Sequence, residues 1–262
     1  MYDFFDDIVI LSLKEQTDRH EHVSKVMDDL NIKFKFYFAE RMSNPKYGSL
    51  DSHSNIIINA LNSGMNNILV FEDDVIKSNF YNDKVMEHCI NFMNNNEDWD
   101  MFYLGYCHPN PKTYLVDSLK CGFGKKITNY IYECNCFCWH AYVVSRRGMI
   151  KYKKIYEEVL RDNKDPDNID VEIMKFRNIL NIYMCVPGQF DQLWCGLSTT
   201  KDLASKMCKF SLENDHVALS YNFIKSRNLY VLITILIFII IFLIIIFFVI
   251  MIVKPKKYLK IK

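Results

Sequence analysis

An unbroken apolar run from Leu229 to Val253 divides this chain into parts that cannot share one solvent. The run holds no charged residue, and Tyr230 and Thr234 are its only polar members. At about 1.5 Å rise per residue, a helix of this length reaches across the ~30 Å hydrocarbon core of a bilayer, whereas a core helix of a globular domain shows a polar face. The run therefore predicts one C-terminal transmembrane helix.

Its flanks extend the expectation. Five lysines follow it (Lys254, Lys256, Lys257, Lys260 and Lys262), which suits anionic headgroups. Met1 to Asp7 carries three aspartates and lacks the basic and apolar regions of a cleavable signal. The lysine-rich tail favours the cytoplasmic side, and a chain without a signal keeps its large N-terminal part in the cytosol. A single-pass, tail-anchored protein with a cytosolic domain is the expectation, a lumenal domain the alternative. The expected divisions are 1–215 as the catalytic domain, 216–228 as a juxtamembrane linker, 229–253 as the span and 254–262 as a basic tail.

Charge limits the partners. The formal net charge is +1 and turns negative once the five tail lysines are set aside, so nucleic acid is not an expected partner. Nine cysteines, an odd number, fit buried thiols as well as an oxidising compartment. Abundant Asn, Ile and Lys fit an AT-rich genome, such as that of a large DNA virus or a protist.

Along residues 1–215, short apolar runs alternate with helical periodicity. Ile8 to Leu13, Phe34 to Ala39, Asn67 to Phe71, Asp100 to Leu104, Cys138 to Ser145 and Ile182 to Val186 read as strands. Arg19 to Leu30, Leu50 to Ser63, Asn79 to Asn94, Arg147 to Leu160 and Asp170 to Leu180 read as helices. This is the syntax of an α/β fold. Gly105 to Gly124, rich in proline and glycine, reads as an exposed loop beside the site.

The chemistry concentrates at Glu72-Asp73-Asp74, directly after the apolar strand. In open α/β sheets ligands bind beyond the carboxyl ends of strands, and alternation points Glu72 and Asp74 to one side. Such a pair suits a hard divalent cation, Mg²⁺ or Mn²⁺, that neutralises the diphosphate leaving a nucleotide sugar. Read alone, the triplet equally fits a solvated acidic turn that caps the next helix.

Several motifs in order sharpen this. Ser12-Leu13-Lys14-Glu15-Gln16-Thr17-Asp18-Arg19, Gly48-Ser49-Leu50-Asp51-Ser52-His53, Val70-Phe71-Glu72-Asp73-Asp74-Val75, Trp99-Asp100-Met101-Phe102-Tyr103-Leu104-Gly105 and Ala141-Tyr142-Val143-Val144-Ser145-Arg146-Arg147-Gly148 follow one another. Together they resemble glycosyltransferase family 25, the lipooligosaccharide and collagen galactosyltransferase group, over Ile8 to Thr200. Asn168-Ile169-Asp170 resembles that family's Pro-Val-Asp element with its proline lost.

The resemblance implies a GT-A type, Rossmann-like nucleotide-diphospho-sugar transferase domain. It implies inverting transfer of galactose or glucose from a UDP-sugar to a hydroxyl on a glycan, lipid or protein. Glu72 and Asp74 would be the metal ligands, Arg19, Ser52, His53 and Asp73 would face the nucleotide sugar, and Asp170 would be the general base. Departures at Ser12, Lys14, Glu15, Ser49 and Asn168 feed a second reading, a catalytically inactive GT-A fold serving as a membrane-tethered binding or structural protein. A metal-dependent hydrolase lacks the expected further His and Asp ligands.

Plain structural readings accompany the site residues. His53 lies on the apolar line of its helix, Arg19 stands at a helix start, and Asp170 fits a helix N-cap. Cys134, Cys136, Cys138 and His140 alternate on one strand face, but residues i and i+2 stand ~7 Å apart, too far for one tetrahedral zinc to gather all four.

Overall fold

The structure is a computed structural model that describes residues 1–107, 125–134, 137–162, 166, 169–193, 233 and 235–247. The chain divides into two units, Met1–Tyr221 and Asn222–Lys262.

In the first unit the strands are β1 (Asp7–Leu13), β2 (Lys35–Ala39), β3 (Asn67–Glu72), β4 (Val75–Lys77), β5 (Met101–Cys107), β6 (Ile131–Glu133), β7 (Phe137–Ser145), β8 (Ile182–Cys185) and β9 (Phe190–Gln192). The helices are α1 (Thr17–Asp29), α2 (Pro45–Asn62), α3 (Asp83–Asn95), α4 (Arg146–Asp162) and α5 (Ile169–Lys175). Seven strands form one mixed sheet in the order β2-β1-β3-β7-β5-β8-β6, and β4 pairs with β9 in a separate ribbon. β1 is parallel to both β2 and β3, while β7 runs antiparallel to β3 and β5. The expected α/β, Rossmann-like architecture is present.

Connections from β1 go first to β2 on one side and then, through α2, to β3 on the other. That reversal leaves a crevice at the carboxyl ends of β1 and β3, the place where such sheets bind ligands. The walls are held by a core that includes Ile10, Val23, Leu69, Phe71, Met86 and Phe102, all fully or almost fully buried. β3 reads as a continuous apolar run because both its faces are covered.

Helix starts follow their caps more than their apolar periodicity. α2 begins at Pro45, five residues before the expected Leu50, because Asn44 Oδ1 accepts from Lys46 N at 3.0 Å and Pro45 needs no partner for a missing N–H. α4 starts behind Ser145, whose Oγ accepts from Gly148 N at 3.0 Å. α3 starts at Asp83, four residues later than expected, behind the Asn82 cap. β5 runs on to Cys107, so the expected loop from Gly105 begins later, and its residues 108–124 lie outside the described residues.

The second unit corrects the largest expectation. Among the described residues no helix is long and apolar enough to cross a membrane. The expected transmembrane helix and the single-pass localisation drawn from it are overturned on that ground, and the membrane as partner is left unsupported. Residues 216–228 and 254–262, expected as linker and basic tail, lie outside the described residues.

Candidate active site

The crevice is a cleft of about 320 Å³ lined by residues from β1, α1, α2, β3, β7, α5 and β9. All seven residues singled out from the sequence line it: Arg19, Ser52, His53, Glu72, Asp73, Asp74 and Asp170. They lie up to 151 positions apart along the chain, and the fold gathers them at one end of the sheet.

Asp73 anchors the floor. It is 5% exposed; its Oδ2 accepts from Ser12 Oγ at 2.5 Å, and its Oδ1 forms an ion pair with Arg19 Nη1. The same guanidinium nitrogen stands 3.6 Å from Asp74 Oδ2. Arg19 is buried and turned inward, so the exposed helix-start reading does not hold. Ser12, a departure from the family pattern, supplies one of the two contacts that fix Asp73.

Glu72 and Asp74 point the other way, into the cleft. Gln192 Nε2 donates to Glu72 Oε2 at 2.9 Å and to Asp74 Oδ1 at 3.3 Å, so two carboxylate oxygens converge on one nitrogen. Burial, then the charge of Glu72 and of Asp73, push the Asp74 carboxyl up to about 7 against the pull of Arg19 and Gln192. Burial also acts to raise Glu72, but the hydrogen bond from His53, with the positive charge of Arg19, brings it below the usual carboxylate range. One carboxylate is held ionised while its neighbour resists ionisation.

That arrangement fits a divalent cation. A partial positive charge, the Gln192 amide, already sits where both oxygens aim, and a cation there would relieve the repulsion that raises Asp74. Among the described residues no group of three or more His, Cys, Asp or Glu side chains is arranged to hold a metal, so the protein would supply two carboxylates and the ligand the rest.

His53 is 1% exposed, as its place on the apolar line predicts, yet it also faces the cleft. Its Nε2 is 3.2 Å from Glu72 Oε1 and its Nδ1 2.8 Å from Tyr142 Oη. Ser52 is buried at the wall, and its hydroxyl donates to Gly48 O at 2.6 Å within its own helix.

Asp170 lies in the first turn of α5. Its Oδ2 accepts from Cys138 N at 3.0 Å and its Oδ1 from Val171 N at 2.9 Å. Burial raises its carboxyl above the usual range; the N–H groups of Cys138 and Val171 oppose the shift, and the charge of Glu72 adds to it. Cys138 has a φ of 69°, a left-handed conformation uncommon outside glycine, which turns its N–H to Asp170. Cys138 is also held in a disulfide, which removes it as a thiolate and closes the four-ligand zinc arrangement.

Sequence reasoning missed Ser12, Tyr142, Trp139 and Gln192. Tyr142 stood inside a quoted motif, but nothing marked it as facing the cleft. Gln192 carried no signal, since β9 reaches the site through tertiary contacts such as its pairing with β4, in which Val75 lies opposite Gln192.

No family model matches the chain, and no curated protein matches it. The resemblance to glycosyltransferase family 25 therefore has no family-level support beyond its motifs. Among solved structures, the chain is similar to a glycosyltransferase involved in the glycosylation of the major capsid of PBCV-1, at 11% identity and a TM-score of 0.46, over 79% of this chain and 100% of that one. It is similar to a UDP-glucose pyrophosphorylase complexed with UDP-glucose, at 9% identity and a TM-score of 0.41, over 71% of this chain and 74% of that one. A nucleoside-diphosphate-sugar pyrophosphorylase from Vibrio cholerae RC9 matches at 13% identity and a TM-score of 0.38, over 70% of this chain and 74% of that one. The names of the two pyrophosphorylases specify nucleotide sugars, and that of the first specifies glycosyl transfer. Each likeness stays below a TM-score of 0.5, so the reading of this cleft rests on its own geometry.

Proposed function

We propose that the chain is a metal-assisted glycosyltransferase that moves a hexose, galactose or glucose, from a UDP-sugar to a hydroxyl acceptor with inversion. The observation that carries this reading is the convergence of Glu72 and Asp74 on one point, with Asp170 in the same cleft. Mn²⁺ or Mg²⁺ held by that pair would supply the positive charge that a departing diphosphate needs.

The chain's own residues have distinct parts. The buried Arg19–Asp73 pair, with Ser12, holds the turn after β3 so that its neighbours Glu72 and Asp74 aim outward. Ser52 and His53 wall the donor side. Asp170 is assigned the acceptor proton. Its raised carboxyl is a stronger base than an ordinary aspartate, and two backbone N–H bonds leave lone pairs for a substrate hydroxyl. Inversion is what the resemblance to glycosyltransferase family 25 implies, and it asks for one general base, the part given to Asp170.

The test is UDP release from UDP-galactose and UDP-glucose with Mn²⁺, with and without glycan acceptors. Release that stops on chelation and in Glu72→Gln supports the reading. A protein that neither binds nor turns over any UDP-sugar with metal present overturns it.

A further inference from the structure

Tyr142 is fully buried on β7, opposite Val70 of β3 and so two residues along that strand from Glu72. A phenol in that position packs no better than a phenylalanine, and a buried hydroxyl must find a partner. Its partner is His53 Nδ1 at 2.8 Å. The other ring nitrogen, Nε2, lies 3.2 Å from Glu72 Oε1. Three elements, β7, α2 and β3, thus contribute one side chain each to a chain of hydrogen bonds that ends on a cleft carboxylate.

The direction of the bonds follows from what each group can do. An ionised carboxylate only accepts, so Nε2 must carry a proton to bond Glu72. In a neutral imidazole the second nitrogen is then bare and must accept, which makes the Tyr142 hydroxyl the donor. Trp139 stands edge-on to His53 at 5.6 Å and 90°, and 4.6 Å from the Tyr142 ring, closing this pair in aromatic surface. Glu72 Oε1 is thereby occupied from within, and Oε2 is the oxygen left to face the point shared with Asp74.

We propose that Tyr142 is a positioning residue for the metal-side carboxylate: by donating to His53 Nδ1 it holds the ring in its Nε2–H tautomer, which sets which oxygen of Glu72 faces the cleft. The inference rests on the proposed metal-assisted reading. It gives Tyr142 and His53, drawn from two separate sequence motifs, one joint task. Outer-shell partners of this kind change metal affinity by about 10- to 100-fold when removed.

The experiment uses the full-length chain labelled with ¹⁵N-histidine, with the His53 signals identified by their loss in His53→Gln. Long-range ¹H–¹⁵N spectra of the wild type should show Nε2 protonated and Nδ1 bare but hydrogen-bonded. In Tyr142→Phe the Nδ1 resonance should move to that of an unbonded nitrogen, and Mn²⁺ alone, followed by the electron paramagnetic resonance of the free ion, should bind about ten-fold more weakly. A wild-type ring protonated at Nδ1 overturns the proposal without any variant, because Tyr142 then accepts and selects nothing. Wild-type Mn²⁺ binding left unchanged by Tyr142→Phe overturns the relay alone. Absence of Mn²⁺ binding by the wild type overturns the metal reading itself, and this role for Tyr142 with it.

Discussion

Glu72 and Asp74 each present one oxygen to the same atom, Gln192 Nε2, at 2.9 and 3.3 Å. Asp73 between them turns its carboxyl inward to Ser12 and Arg19. Alternation along three consecutive acids therefore divides them into a buried anchor and an outward pair. Substitutions at the individual positions separate those tasks.

Glu72→Gln and Asp74→Asn each remove an anionic ligand while keeping side-chain volume. Turnover of a UDP-sugar with saturating Mn²⁺ should fall more than about 100-fold in each, beyond what an outer-shell change costs, with circular dichroism unchanged. Turnover within twofold of wild type would remove the metal role.

Asp170→Asn keeps an oxygen to accept one of the two backbone N–H bonds but loses the base. Steady-state kinetics should show kcat down by about 10²- to 10⁴-fold with the UDP-sugar dissociation constant unchanged. An unchanged kcat would leave Asp170 as a structural acceptor for Cys138 and Val171.

The metal-free protein should lose stability as pH rises. Asp74 titrates near 7 when folded and near 3.8 when unfolded, so between those values the folded state binds more protons. Its contribution to stability therefore declines through that window and is lowest above it. Asp74→Asn, which mimics the protonated form, should raise Tm at pH 8 and change it little at pH 3.5. Thermal melts with EDTA at both values decide the matter; a lower Tm for the variant at pH 8 contradicts the shift.

Gly148 has no room for a side chain. A Cβ there would lie 2.0 Å from Asp100 O, a backbone atom that cannot swing aside. Gly148→Ala should destabilise by about 1–3 kcal/mol or more, as other overpacked sites do. The drop would appear in the urea midpoint while residual folded protein keeps its activity per site. An unchanged midpoint would mean that α4 shifts freely over β5.

Much of this was legible in the sequence. The alternation of apolar runs and helical periods marks the six longer strands and five helices, because burying one face imposes a period on each. The acidic triplet after β3 was legible because charges at the end of a fully apolar strand have few structural uses. The motif ending in Gly105 and the motif ending in Gly148 prove to be two sides of one contact: Ser145 Oγ donates to Trp99 O at 2.7 Å, and Gly148 lies against Asp100. Their spacing records packing rather than chemistry. What stayed hidden were short strands β4, β6 and β9, whose three residues each are too few to show a period. Gln192 and Tyr142 stayed hidden too, because their partners lie far off in sequence. The apolar run at the C-terminus was legible as hydropathy alone, and among the described residues no helix is long and apolar enough to cross a membrane.

The β4–β9 ribbon carries a consequence for how this cleft comes into being. Residues 75–77, just past the acidic triplet, are tied to residues 190–192, the last strand of the described domain. A chain that has emerged only as far as α4 already holds Arg19, Glu72, Asp73 and Asp74, yet it has neither Asp170 nor the amide that spans the two outward acids. Assembly of the cleft thus waits until residues 190–192 have been made. No shorter fragment inherits its chemistry, and loss of the final strand should be felt first where the acids converge, more than a hundred positions upstream.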